Sequence, residues 1–173
     1  MFTPKKQTNP KCVGYSLPYL KPYQYRRNEQ IMMQQTQDYG PYPLILNIHQ
    51  AAKDNTNFRT ALWTGDHLQV TLMHLNPGEE IGLEKHDYLD QLIHIVQGRG
   101  LVKIGDRPDT PDMQQDVSNN YAFTIPAGKW HNLVNTGNMP LKLFSVYAPP
   151  QHPYGTVHVT KADADAAEMN QHS

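Results

Sequence analysis

The chain has 173 residues, 38% of them hydrophobic and 18% charged, with a formal net charge of -1. That length suits one domain with a proper core and leaves little room for two. No apolar run approaches the span of a bilayer, the start MFTPKKQTNPK lacks the apolar stretch of a secretory signal, and the lone Cys12 excludes an internal disulfide or a thiolate metal cluster. A cytoplasmic protein with no membrane partner is expected.

Residues 1–40 read differently from the rest. Lys5, Lys6, Lys11, Lys21, Arg26 and Arg27 stand there against only Glu29 and Asp38, so the arm is basic and the remainder acidic. The cations are too dispersed to suggest a nucleic-acid partner. Pro4, Pro10, Pro18 and Pro22 forbid a continuous helix, and no period of 2 or 3.6 is visible. The segment is therefore expected to be an extended or disordered Tyr/Pro/Gln-rich arm, with the domain proper over 41–173. Its tyrosines, from Tyr15 to Tyr39, could dock on a neighbouring subunit.

From Pro43 onward the pattern becomes regular. Asn47 can cap a short helix, IHQAAKDN, which Ala51 and Ala52 favour. Strand-type runs follow at 58–63, 67–75, 82–86, 91–96, 100–104, 121–125, 131–135 and 141–147. Turn chemistry separates them, as at Asn76-Pro77-Gly78, Gln97-Gly98 and Pro126-Ala127-Gly128. Short strands at this spacing, without helices between them, predict an all-β sandwich or barrel. The polar stretch 107–120 holds two prolines and is expected to be a loop. Near the end, Thr160 and Asp163 form a capping box that opens a second helix, KADADAAEM.

The run LEKHDYLDQLIHIVQG holds the first candidates for chemistry. Alternate residues of a strand share a face, so Glu84 and His86 project together and Lys85 away from them. Gln91 opens the returning strand and can face back at the pair. Much later, IPAGKWHNLVN presents His131 at a strand start after a tight turn. One carboxylate, one amide oxygen and two imidazoles satisfy a borderline divalent ion such as Zn, Mn, Fe or Ni, and the inward residues of a barrel converge on one axis. His94 lies at an odd offset from Gln91 and should point away, as should Trp130. Asp90 is a candidate to orient a ligand histidine.

These residues carry a family resemblance. Gly78, five residues, Glu84-Lys85-His86, four residues, Gln91, six residues and Gly98 resemble the first cupin motif. Asn120, five residues, Pro126-Ala127-Gly128, two residues, His131, three residues and Asn135 resemble the second. The resemblance implies a cupin jelly-roll β-barrel with short flanking helices and the N-terminal arm, over roughly 43–150. It also implies one divalent metal ion on Glu84, His86, Gln91 and His131, and a homodimer. The chain departs from the motifs where Glu84 replaces a histidine, Gln91 a glutamate and Asn120 a glycine. Asparagine tolerates positive φ better than most residues.

The donor set resembles that of zinc-dependent phosphomannose isomerases, with the Gln and Glu positions exchanged. Together with the run APP-x-HP-x-GTVH-x-TKADA, it makes the chain similar to the small cupins labelled mannose-6-phosphate isomerase-like. That resemblance implies a metal-dependent isomerase of a sugar or sugar phosphate. Other readings are a non-catalytic cupin binding a small polar metabolite, or a metal-dependent dioxygenase. The barrel's cations read as scattered (Arg99, Lys103, Lys129 and Lys142), without the cluster a phosphate favours. The segment 147–158, rich in His, Pro and Tyr, could either line the barrel mouth or seal it.

Overall fold

The strands expected from alternation and turn chemistry all form, with ends shifted by a residue or two. In chain order the elements are α1 (Ile48–Asp54), β1 (Arg59–Thr64), β2 (Gln69–Leu75), β3 (Glu84–Lys85), β4 (Asp90–Gln97), β5 (Arg99–Gly105) and β6 (Met113–Ser118). They continue with β7 (Ala122–Ile125), β8 (Trp130–Asn135), β9 (Leu141–Ala148), β10 (Val157–His158) and α2 (Lys161–Gln171). The computed structural model describes residues 38–171. The expected arm therefore lies outside the described residues, apart from its last three.

Antiparallel pairing joins the strands into two sheets. One has six strands in the order β10-β1-β2-β9-β4-β7, the other four in the order β3-β8-β5-β6. The sheets face each other around Phe58, Met73, Ile93, Val102, Leu133 and Leu143. Burying a side chain of this size contributes about 1.5–3 kcal/mol. The six-stranded sheet is covered on its other face too, where Ala51 and Ala52 of α1 pack on Leu62, Leu72 and Val96. Double coverage explains why β2 and β9 are buried almost throughout.

Local chemistry sets the ends as expected. Asn47 caps α1 by accepting from Gln50 N at 3.0 Å. Ahead of α2, Asp163 Oδ2 accepts from Thr160 N at 2.8 Å, and Thr160 Oγ1 accepts from Asp163 N at 3.2 Å. Asn120 adopts φ 68, the left-handed conformation expected of it. Gly98 has φ 91, and a Cβ there would stand 2.9 Å from the Pro140 carbonyl oxygen, so the turn admits only glycine.

Three differences from expectation have physical causes. The loop expected over 107–120 contains β6, whose sequence MQQDVS shows no apolar alternation. It is an edge strand, and only Val117 turns into the core. The strand expected over 82–86 shortens to Glu84–Lys85, because Gly82 at φ 98 interrupts it. Finally, Asp38, Tyr39 and Gly40 already belong to the barrel. Tyr39 N donates to Leu62 O at 2.9 Å, and the Asp38 carboxylate accepts from Gly40 N, Thr64 N, Thr64 Oγ1 and Gly155 N.

After β9 the chain returns along β1 as a strap. Ala61 N donates to Thr156 O, and Phe58 N to Val159 O. Gln69, fully buried, clasps the strap at His152 through both its amide oxygen and its amide nitrogen, each at 2.9 Å. No helix among the described residues is long and apolar enough to cross a membrane.

Candidate metal centre

Glu84 of β3 pairs directly with His131 of β8, so the two side chains leave the four-stranded sheet on the same, inward side. His86 follows at the next inward position. Glu84 Oε1 stands 3.2 Å from His131 Nε2 and 3.5 Å from His86 Nε2. The donor atoms of the three residues all lie within 4.8 Å of one another. His131 is fully buried, while Glu84 and His86 keep a little exposure, so the cluster opens on their side.

The turn that delivers His131 is tied to the strand that delivers His86. Gly128 N donates to His86 O at 2.7 Å, and Ala127 N donates to Asp90 Oδ1 at 3.0 Å. Asp90 was expected to orient a ligand histidine directly. It instead braces the Pro126-Ala127-Gly128 turn, because its side chain projects outward from β4. His131 is oriented by a backbone group: its Nδ1 lies 3.2 Å from Lys129 O. A carbonyl can only accept, so Nδ1 carries a proton toward Lys129 O, and Nε2, beside Glu84, is the nitrogen that would ligate an ion.

Gln91 comes from the opposite sheet. It is buried and lies across from Tyr147. Its Nε2 donates to Ser145 Oγ at 2.9 Å, while Ser145 Oγ donates to Leu92 O at 3.4 Å. The hydroxyl proton is thereby engaged, which places the nitrogen of the amide at Ser145 and leaves Gln91 Oε1 buried without a partner. His86 Nε2 is likewise buried without a hydrogen-bond partner. An orphaned amide oxygen, an orphaned imidazole nitrogen and a carboxylate are the chemistry of a cation site. Burial alone would raise the Glu84 carboxyl. The His131 and His86 imidazoles, with Arg59, overcome this and hold it far below the usual carboxylate range, so Glu84 is ionised.

The other sequence candidates fall where their offsets predict. His94 stacks on Phe144 at 4.9 Å on the outer face of its sheet, beside His49. Trp130 lies outside, with Lys85 Nζ 5.7 Å from its ring centre. The segment 147–158 lines the interior: the Tyr147 ring sits 5.9 Å from His86 and 5.2 Å from His152.

Arg59 was not anticipated. It is fully buried, opposite Met73 and His158, on the inner side of β1. Its charge acts on Glu84, Tyr147, His152 and His158. The signal was available, since FRTALW puts a cation at a core-facing step of a run otherwise fit for burial. His152 is held down to about 3 by burial and by Arg59, which keeps it neutral.

A two-sheet antiparallel barrel with such a donor set inside defines a jelly-roll protein with a candidate metal site. Residues 71–147 match the cupin domain family. The Bacillus subtilis protein YrkC is 60% identical over 131 residues, 76% of this chain and 70% of YrkC. The mimivirus protein L612 of Acanthamoeba polyphaga mimivirus is 33% identical over 118 residues, 68% of this chain and 72% of L612. The crystal structure of BH2720 from Bacillus halodurans superposes with a TM-score of 0.74 at 59% identity, over 75% of this chain and 98% of that one. The chain belongs to the cupin superfamily.

Proposed function

We propose that the protein is a metal-dependent enzyme that moves a proton on a small, oxygen-rich carbonyl compound, as in aldose–ketose isomerisation of a sugar or sugar phosphate. Glu84, His86 and His131 would hold the ion, with Gln91 Oε1 as the fourth ligand. The observation that carries this reading is the convergence of three donors within 4.8 Å inside the barrel. A divalent ion bound there supplies Lewis acidity toward a carbonyl or enediol oxygen. The neutral His152 imidazole, with its Nε2 unpartnered and its basicity lowered by burial, is suited to hydrogen-bond a substrate oxygen rather than to carry the proton. Tyr147 keeps its phenol proton, because burial pushes its pKa up, and can donate to a substrate oxygen.

The donor set also supports a second reading, in which the protein only binds a polar metabolite. Lys85, Lys129 and Lys161 each pair with a neighbouring aspartate, so none of them is a ready phosphate clamp. Metal analysis of the purified protein followed by isomerisation assays, with and without chelator, separates the two. Turnover that chelator abolishes and metal restores supports the enzyme. Full metal occupancy with no turnover on sugars or sugar phosphates defeats it and leaves the binding protein.

A further inference from the structure

Arg59 is a buried charge that the metal reading does not use. At 1% exposure it is among the most buried side chains of the fold. A guanidinium has five N–H donors and remains charged under all ordinary conditions. Its ion pair here is a single 3.4 Å contact with Glu168 of α2, which is half-exposed, and its Nε is buried without a partner. The Phe58 ring, 5.6 Å from Cζ, and the Glu84 charge temper the cation, but the buried Nε–H remains unmet, and such a donor is costly unless something else meets it.

The surroundings indicate what that is. The Arg59 charge favours ionised Glu84 inside the barrel; a divalent ion bound on Glu84 would leave the interior positive. His152 Nε2 and His158 Nδ1, both within the reach of Arg59's charge, are unpartnered as well. Burial and Arg59 keep these imidazoles below their usual range, so they offer hydrogen bonds without adding charge. The one guanidinium presents a planar pair of donors, which suits a carboxylate. A phosphate dianion would need further cations, and Lys142 projects from the other face of the sheet, onto the carbonyls of Lys53 and Asn55 at the end of α1. Arg59, His152 and His158 all lie outside the 71–147 match, on the β1 and strap elements that flank the shared barrel.

We propose that Arg59, with His152 and His158, forms a carboxylate-binding subsite beside the Glu84–His86–His131 centre, and that the ligand is a small polyhydroxy acid rather than a sugar phosphate. The proposal rests on the metal reading for its second anchor. Calorimetric titration of the metal-loaded protein with D-glycerate, glycerol and glycerol 1-phosphate tests it. D-Glycerate should bind, glycerol should not, and the phosphate should bind more weakly than the acid. Arg59→Met should weaken glycerate binding at least about tenfold with metal content unchanged, the loss expected of a charge-assisted bidentate contact. Glu168→Gln frees the guanidinium from its competitor and should tighten glycerate binding about two- to fivefold. That variant alters a half-exposed residue and keeps the test open if Arg59→Met does not fold.

Equal glycerate affinity in wild type and a folded Arg59→Met, unchanged affinity in Glu168→Gln, or preference for the phosphate would each overturn the subsite. Repeating the titration on metal-free protein distinguishes the two readings. Absence of metal uptake defeats the metal centre, whereas Arg59-dependent glycerate binding to that same protein upholds the subsite.

Discussion

The inner face of the six-stranded sheet has two halves built from the same strands. Toward one end, β2, β4 and β9 contribute Met73, Leu75, Ile93, Ile95, Leu141 and Leu143, all fully buried and apolar. Toward the other, the same strands contribute Gln69, Thr71, Gln91, Ser145 and Tyr147, and β1 adds Arg59. Both halves are equally buried, yet the second leaves Arg59 Nε and Gln91 Oε1 without partners. Such groups destabilise a fold by roughly 1–3 kcal/mol each. The contrast teaches that one half supplies stability, and the other gives some of it up to keep polar groups inside the barrel, where the proposed ion would sit.

Single substitutions can break this division. The largest effect belongs to His131→Ala, which removes a donor and the partner of Glu84. Metal affinity should fall by more than the roughly 10–100-fold that loss of an orienting partner costs, as read by competition with a chromogenic chelator. In the apolar half, Leu143→Ala should lower unfolding free energy by about 2–5 kcal/mol while leaving metal affinity unchanged. Urea titration with parallel metal analysis checks both, and a large loss of metal affinity would erase the proposed division.

Acid should act on the polar half through His152. The unfolded histidine takes a proton below about pH 6.5, whereas the folded one stays neutral down to about 3. The unfolded state therefore binds more protons across that interval, and the stabilising contribution, fully present above pH 6.5, is lost as pH falls toward 3. The drop attributable to His152 should reach about 2–4 kcal/mol, and His152→Gln should flatten the limb in urea titrations at pH 4 to 7. Smallest of all, Thr160→Ala removes the cap of α2 and should cost about 0.5–2 kcal/mol with no change at the metal centre, as thermal unfolding and metal analysis would show.

Much of the fold was legible in the residues because local rules govern it. Alternation placed Glu84 and His86 on one face and turned His94 and Trp130 away. Turn residues punctuated the strands, Asn120 took the left-handed conformation its type tolerates, and Asn47 and Thr160 capped the two helices. Where the rules failed, the deciding forces were non-local. β6 forms from a polar run because β5 offers it an open edge, not because MQQDVS has strand patterning. Asp90 braces a turn because the loop before β8 folds back within reach of its carboxylate.

The sequence by itself determined the barrel, its helix ends and the convergence of Glu84, His86 and His131, since side-chain period and motif spacing are properties of neighbours along the chain. Only the tertiary structure decided that His131 presents Nε2 inward, that Gln91 keeps a bare oxygen, and that a strap from the far end lays His152 beside the centre. The same holds for Arg59. A core-facing step in FRTALW hints at its burial, but β10 and α2 closing over it decide the matter, because burial is a property of what packs against a residue rather than of the residue itself.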